Sequence, residues 1–220
     1  MSTIENVLLV GTDPVSGTTR IRSSVSQPML GGAILFDLVS ERRLVVEGST
    51  KRKLRVVVAD PTPVGNPVLD AAFDRVRHRG RQTPRTVVGR LGKQAQKNTY
   101  ALLTARGLVR PRREKVLGLF PVTRHDVLAQ GQRDQVVQAT RAVLLHEQPA
   151  DGTTGPIIGL LAAADLLKLV VERPDLKAAK RRAKVVSQGD WASEAVRDAV
   201  QAAQAAVVAG VVAASAATSS

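Results

Sequence analysis

The sequence lacks cysteine and is poor in aromatic side chains, which make up 2% of its 220 residues. The absence of cysteine excludes disulfide bonds and thiolate metal sites, and it is compatible with a reducing, cytoplasmic compartment. So few aromatic rings also disfavour binding of single-stranded nucleic acid by base stacking. A secretory signal is not recognisable either, because the first residues, "MSTIENVLLVGTDP", have no basic region and only a short apolar run.

Patterns typical of catalytic or metal sites are also missing. His78, His125 and His146 lie in separate segments without ligand spacing, and arginines that would repel a cation surround His78. The segment "GRLGK", residues 89–93, lacks the spacing and the Ser or Thr of a P-loop. No grouping of a nucleophile, a base and an acid is recognisable. We therefore expect a binding protein without catalytic residues, metal or cofactor rather than an enzyme.

Positive charge, by contrast, is abundant and concentrated in one stretch. The formal net charge is +13, and residues 75–115 alone contain 13 Lys and Arg but a single acid, Glu114. The rest of the chain is almost neutral. Such a stretch is either a solvated surface or a binding surface for a polyanion, such as phosphate-rich lipid or nucleic acid.

Periodicity and turn signals predict a mostly helical chain with two hairpins. Helices are expected in "PMLGGAILFDLVSERRL", after the caps Asn66 and Thr83, and up to Arg106 before Gly107. The hairpins are expected at residues 44–59 and 108–122. Further helices are predicted at residues 126–146, 156–171 and 174–187, and from Trp191 onward.

These segments predict a mainly α fold over residues 1–220, a single globular domain in which a helical bundle surrounds a buried Ala-rich C-terminal helix, with small β-hairpins. The C-terminal segment "AVQAAQAAVVAGVVAASAA" is apolar on every face after Gln204, as in a buried helix or a membrane span. Its uninterrupted apolar part is about 16 residues, mostly alanine, whereas a bilayer requires about 20 strongly apolar residues. The buried helix is therefore favoured.

A winged-helix DNA-binding interpretation also fits residues 83–122. Residues 83–89 would form its first helix, residues 94–106 the recognition helix and residues 108–122 the wing. Lys and Arg would contact phosphates, while Gln94, Gln96 or Asn98 would contact base edges. The flanking segments resemble parts of one common core, which weakens this interpretation.

Several longer strings resemble the Golgi phosphoprotein 3 family, in the form taken by its bacterial, actinomycete-type members. They are "DAAFDRVR", "TPRTVVGRLGK", "LLTARGLVRPRREKVLGLFPVTR" and "QGDWASEAVRDAVQAAQAAVVAGVVAA". The similarity begins at "ENVLLVGTDPVSG" and covers nearly the whole chain. It implies a mostly helical domain that binds phosphatidylinositol 4-phosphate on a basic face and docks by a hairpin on membranes or on a second copy. Eukaryotic members also bind Golgi glycosyltransferases as sorting adaptors.

The resemblance implies a headgroup site on the basic face. The family's headgroup tryptophan falls near Arg22, its first pocket arginine near Gly31, and its two helical arginines near Lys93 and Gln96, so that Lys93 alone keeps a matching charge. The headgroup-binding residues implied in this sequence are Arg22, Arg90, Lys93, Gln96 and Lys97.

A membrane-facing hairpin is implied as well. Its basic residues, which surround Pro111 in the expected turn, are Arg110, Arg112, Arg113 and Lys115. We expect the apolar residues that follow to be half buried in the core; they are Val116, Leu117, Leu119 and Phe120.

Together these features predict a cytoplasmic, non-enzymatic protein associated peripherally with the membrane. Its expected partners are anionic membrane lipids, with a phosphoinositide implied by the resemblance, and a protein client or a second copy bound through the hairpin. Nucleic acid is a partner only in the winged-helix interpretation.

Overall fold

The computed structural model describes residues 1–48, 53–116, 119–188, 202–209 and 212. Within these residues the chain is mainly helical and has two antiparallel hairpins, which confirms the predicted fold class. Residues 202–209 are helical. The other elements are α1 (Thr3–Val10), α2 (Ser23–Ser40), β1 (Leu44–Glu47), β2 (Arg55–Val58), α3 (Pro67–Phe73), α4 (Pro84–Leu91), α5 (Ala95–Ala105), β3 (Val109–Val116), β4 (Phe120–Val127), α6 (Gln130–Leu145), α7 (Thr154–Ala163), a 3-10 helix (Leu167–Leu169) and α8 (Leu176–Val186).

Three helix boundaries lie where the sequence places caps. Asn66 accepts a hydrogen bond from the backbone N–H of Val68 at 3.0 Å, and Thr83 accepts one from that of Thr86 at 3.3 Å. Gly107, after α5, has a φ of 67°, in the left-handed region that favours glycine. These local signals are confirmed because each depends on residues within one turn of the cap.

Other boundaries differ from the prediction. Helix α2 begins at Ser23 and includes Pro28, which the sequence pattern places at the start of the segment. The helix predicted at residues 156–171 ends at Ala163, because Asp165 adopts a φ of 55° that an α-helix does not accommodate. Strand β4 includes residues 126 and 127, which the sequence pattern places at the start of α6. The predicted helix start at Trp191 and the first hairpin's turn, residues 49–52, lie outside the described residues.

Helix α2 lies at the centre of the bundle. Every α2 residue from position 29 to position 39 is buried, and α1 packs beside it. Helices α3, α4 and α5 pack on one side of this α1–α2 layer, while α6 and α7 pack on the other side. Helix α8 forms an outer layer on α6, α7 and the 3-10 helix.

The helix at residues 202–209 contributes to the core along one side. A Cβ added at Gly32 of α2 would lie 3.1 Å from the Cβ of Ala203, so the two helices are in contact. Its opposite side is exposed at Ala205 and Val208. Across the described part of the chain, none of the helices has the combination of length and hydropathy needed to cross a bilayer.

Two glycines let the backbones of α2 and α4 approach more closely than side chains allow. A Cβ at Gly31 would lie 2.0 Å from the carbonyl oxygen of Val88, and a Cβ at Gly92 would lie 1.9 Å from that of Gln27. Both distances are far below van der Waals contact. Glycine at these positions therefore determines the spacing of the two helices.

We expect Gly31→Ala to destabilise the protein by about 1 to 3 kcal/mol, because one of the two backbones must move to admit the methyl group. Gly89→Ala, in α4, is the matched control, since a Cβ there meets nothing within 4 Å. It should leave the stability unchanged or raise it by about 0.5 to 1 kcal/mol. The free energy of unfolding in urea measures both, and equal effects of the two substitutions would contradict the proposed role of Gly31.

Candidate functional site

The first turn of α2 lies against the turn that joins α4 to α5. The side-chain nitrogen Nε2 of Gln27 donates to the carbonyl of Gly89 at 2.8 Å, next to the close contact at Gly92. One residue earlier, Ser26 Oγ donates to Gln96 Oε1 at 2.6 Å. The starts of α2 and α5 are thereby held side by side.

Three exposed cations surround these two helix starts. Arg22 is the N-cap residue of α2, one turn before Ser26, while Lys93 and Lys97 flank the start of α5. None of the three forms an ion pair within the described residues. Neither helix start has a side-chain cap. Of the first three N–H groups of α5, only that of the first residue donates to a carbonyl of the described residues before the helix, that of Gly92 at 3.1 Å. An anion at this position would meet lysine, arginine and helix N-terminal N–H donors together.

Arg90 does not join this group. Val88 and Gly92 face α2, and Arg90 is two residues from each, which corresponds to a rotation of about 200° around the α4 axis. Its guanidinium donates instead to the side chain of Gln82. Gly31 is also outside the group, because its contact with Val88 leaves no room for a side chain.

Ser26 is a member of this site that the sequence analysis missed. It is 7% exposed and connects α2 to Gln96 across 70 residues of sequence. The omission follows from placing the α2 start at Pro28. The serines before that proline were the available signal, since serine is common near helix N-termini.

The basic residues of the second hairpin lie in strand β3, so the prediction that they form its turn is wrong. Residues 109–116 pair with residues 120–127 in antiparallel register, with Arg110 opposite Asp126. Successive strand side chains alternate between two faces, so Arg110 and Arg112 share one face and Arg113 lies on the other. The position of each arginine in this alternation decides which partners it has.

Arg110 and Arg112 are neutralised by acids of the same hairpin. Both form ion pairs with Asp126, at 3.3 and 3.1 Å, and Arg112 also pairs with Glu114, which in turn pairs with Arg124. The hydrogen bond from Arg112 is the main cause that holds the pKa of Asp126 below its ordinary value, so this carboxylate stays ionised near neutral pH.

Arg113 and Lys115, by contrast, are exposed and form no ion pair within the described residues. Beyond them, Leu119 is 77% exposed, so its predicted half-burial in the core is wrong. Leu117 lies outside the described residues, as do the side chains of Val116 and Phe120.

The hairpin is attached to the body of the protein near its base. The rings of His125 and Tyr100 stack with their centroids 3.6 Å apart, and the Tyr100 hydroxyl hydrogen-bonds to Thr12 Oγ1 at 2.9 Å. The backbone N–H of His125 donates to the carbonyl of Gly17 at 2.8 Å. Since Tyr100 belongs to α5, one helix carries both the hairpin contact and the cation Lys97.

A cavity of about 700 Å³ near the N-terminus is separate from these surfaces. In its wall the buried Glu5 accepts a hydrogen bond from Asn66 at 3.0 Å and pairs with Arg106 at 2.8 Å. Asp37 accepts the N–H groups of the first two residues of α1, and burial raises its pKa to about 6. These acids are satisfied inside the protein, so they hold α1 in place. Within the described residues, no three His, Asp or Glu side chains lie close enough together to hold a metal ion.

Residues 4–203 match the family described as Golgi phosphoprotein 3 (GPP34). The match covers most of the chain, from α1 to the helix at residues 202–209. Among curated proteins there is no match.

Docking of the hairpin should weaken at low pH. Partial burial lowers the pKa of His125 below its ordinary 6.5, and the adjacent Asp126 offsets part of this shift. The docked state therefore favours the neutral ring, and its stability is fully present above pH 6.5 and decreases as the pH falls below that value. Hydrogen-exchange protection factors of the hairpin amides should be lower at about pH 5.5 than at about pH 7.5.

His125→Phe is the control for this pH effect. It retains a ring that stacks on Tyr100 but cannot be protonated. Protection in this variant should be independent of pH, and the same decrease as in the unmodified protein would contradict the role of His125.

Proposed function

Because the chain belongs to the Golgi phosphoprotein 3 family, we propose that it is a non-enzymatic protein that associates peripherally with membranes by binding anionic phospholipid headgroups. The resemblance of its sequence implies phosphatidylinositol 4-phosphate as the preferred headgroup. The binding site comprises Arg22, Lys93 and Lys97 around the Ser26–Gln96 hydrogen bond.

The observation that carries this proposal is the convergence of two uncapped helix starts and three unpaired cations. Phosphate oxygens accept hydrogen bonds from helix N-terminal N–H groups, which carry partial positive charge. Lysine and arginine add charge-assisted hydrogen bonds and remain protonated near neutral pH. A phosphorylated headgroup satisfies all of these donors at once, whereas a neutral headgroup leaves the cations uncompensated.

The second hairpin supplies a further membrane contact in this proposal. Arg113 and Lys115 are available to headgroup phosphates, and Leu119 beyond them is an exposed apolar side chain that a bilayer interface accepts. Arg110 and Arg112 contribute less, because acids of the hairpin already pair with them. The same exposed end is where a protein client or a second copy would bind.

The packing of α5 does not favour the winged-helix alternative. A recognition helix inserts its N-terminal residues into the major groove, where they contact base edges. Here α5 packs against α1, α2 and α3, and the amide oxygen of Gln96 accepts the hydroxyl of Ser26. Asn98 is half-buried in α5, and Gln94, although exposed, precedes the helix in a left-handed conformation.

The double variant Lys93→Glu/Lys97→Glu tests the headgroup site. Each basic residue near an anionic surface contributes attraction, and each glutamate in its place adds repulsion. The double variant should therefore bind at least about thirtyfold more weakly. Co-sedimentation with vesicles of neutral lipid doped with phosphatidylinositol 4-phosphate measures the affinity. Vesicles of equal charge made with phosphatidylserine test headgroup preference.

The matched control is Arg42→Glu/Lys53→Glu, in which two exposed cations beside the first hairpin are reversed. Arg42 follows the opposite end of α2 from Arg22, about 27 Å along an 18-residue helix. The control should bind nearly as the unmodified protein. Equal loss in both variants would show that net charge alone attracts the protein, and the assigned site would be wrong.

Asp126→Asn should strengthen binding to anionic vesicles by about fivefold, because it leaves Arg110 without its ion-pair partner and adds one unit of positive charge. Asp60→Asn changes the net charge equally but releases Arg43, beside the first hairpin. The Asp60→Asn substitution should change the affinity for anionic vesicles by less than about twofold. If both substitutions strengthen binding equally, the hairpin does not contact the membrane.

A further inference from the structure

A second concentration of positive charge lies on α8, outside the basic stretch of residues 75–115. Helix α8 contains five Lys and Arg and no Asp or Glu. Its buried residues, Ala179, Ala183 and Val186, recur at helical spacing and face the bundle. The outer side of α8 is consequently a basic surface.

Three of these cations form one exposed stripe. Lys177, Arg181 and Lys184 are spaced by four and three residues, so they lie on the same side of the helix, and none has an ion pair within the described residues. Lys180, beside the stripe, pairs with Asp165 at 2.8 Å. The stripe therefore carries unpaired charge, whereas its neighbour is compensated.

A groove of about 620 Å³ between α6 and α8 adjoins this stripe. Arg182 closes one wall by donating to the carbonyls of Val143, Glu147 and Gln148 at the end of α6. Val185, which is 56% exposed, contributes an apolar surface among the cations. Because the acids Glu147 and Asp175 also line the groove, the excess positive charge lies on the α8 stripe, beside the exposed apolar Val185.

This surface faces away from the headgroup site. Helices α4 and α5 pack on one side of the α1–α2 layer, and α8 lies beyond α6 and α7 on the other side. Packed helices are about 8 to 10 Å apart, so three such steps separate α8 from the α4–α5 layer by about 25 to 30 Å. The stripe and the cations of α5 therefore lie on opposite outer layers of the bundle.

We propose that the outer face of α8 docks on a second anionic bilayer, so that one molecule bridges two membranes. The α8 contact stands on its own charge and exposure, while bridging also rests on the proposed function. A bilayer interface accepts both the cations and the exposed Val185, as it does for basic amphipathic helices. Unpaired Lys and Arg side chains suit the many anionic headgroups of such a surface.

The experiment compares binding with clustering of vesicles that contain phosphatidylserine. Co-sedimentation reports binding to one vesicle, and dynamic light scattering reports clustering. The unmodified protein should do both. Lys177→Glu/Arg181→Glu should require at least about thirtyfold more protein for clustering, because two attractions are replaced by repulsions. Its binding to single vesicles should change by no more than about threefold, since the surface at α5 is intact.

Two further variants make the outcome specific. Arg42→Glu/Lys53→Glu, with the same change in net charge, should cluster vesicles as the unmodified protein does. Lys93→Glu/Lys97→Glu should lose clustering while retaining the binding that α8 provides, and the variant with all four α8 and α5 substitutions should lose both. Far-UV circular dichroism and thermal unfolding verify that each variant is folded.

The proposal is overturned if the unmodified protein binds vesicles without clustering them, if the α8 variant clusters them normally, or if the control loses clustering equally. It is also overturned if the α8 variant binds and clusters vesicles normally but no longer binds duplex DNA in a gel shift. If the α5 variant binds normally and the α8 variant does not bind, the headgroup site at α5 and bridging both fail, but docking through α8 stands.

Discussion

The backbone contact between α2 and α4 is the constraint on which the candidate site depends. At Gly31 and Gly92 the two helices are closer than any side chain allows. This spacing places the first turn of α2 beside the start of α5, where Ser26 reaches Gln96. The proposed headgroup site therefore depends on core packing. Its donors come from the starts of α2 and α5, and the two glycines set how closely α2 approaches the helix before α5.

Local pairing decides how much of the large positive charge is available to a partner. On β3, strand alternation directs Arg110 and Arg112 toward Asp126, while Arg113 on the other face forms no ion pair within the described residues. On α8, Lys180 pairs with Asp165, whereas a stripe that includes Lys177 forms no ion pair within the described residues. Exposed ion pairs contribute little to stability, but they reduce the field that attracts an anionic surface.

Sequence patterns predicted the elements well where the signal is local. Asn66 and Thr83 cap helices as expected, because a cap interacts with residues of its own first turn. Prediction failed where the outcome depends on distant packing. Leu119 resembles a core residue by type, yet it is 77% exposed, and Arg90 lies on the basic helix α4 but faces away from α2.

The sequence by itself determined the helical class of the fold, the family resemblance and the concentration of basic residues, because composition, periodicity and short motifs are properties of neighbouring residues. Only the tertiary structure decided which basic residues lie on neighbouring helix starts. The starts that carry Arg22 and Lys97 are joined by the Ser26–Gln96 hydrogen bond, which spans 70 residues of sequence, whereas Arg90 is closer to Lys97 in sequence but lies on another face of α4. Contacts at such separations are set by the packing of whole helices, which local patterns do not encode.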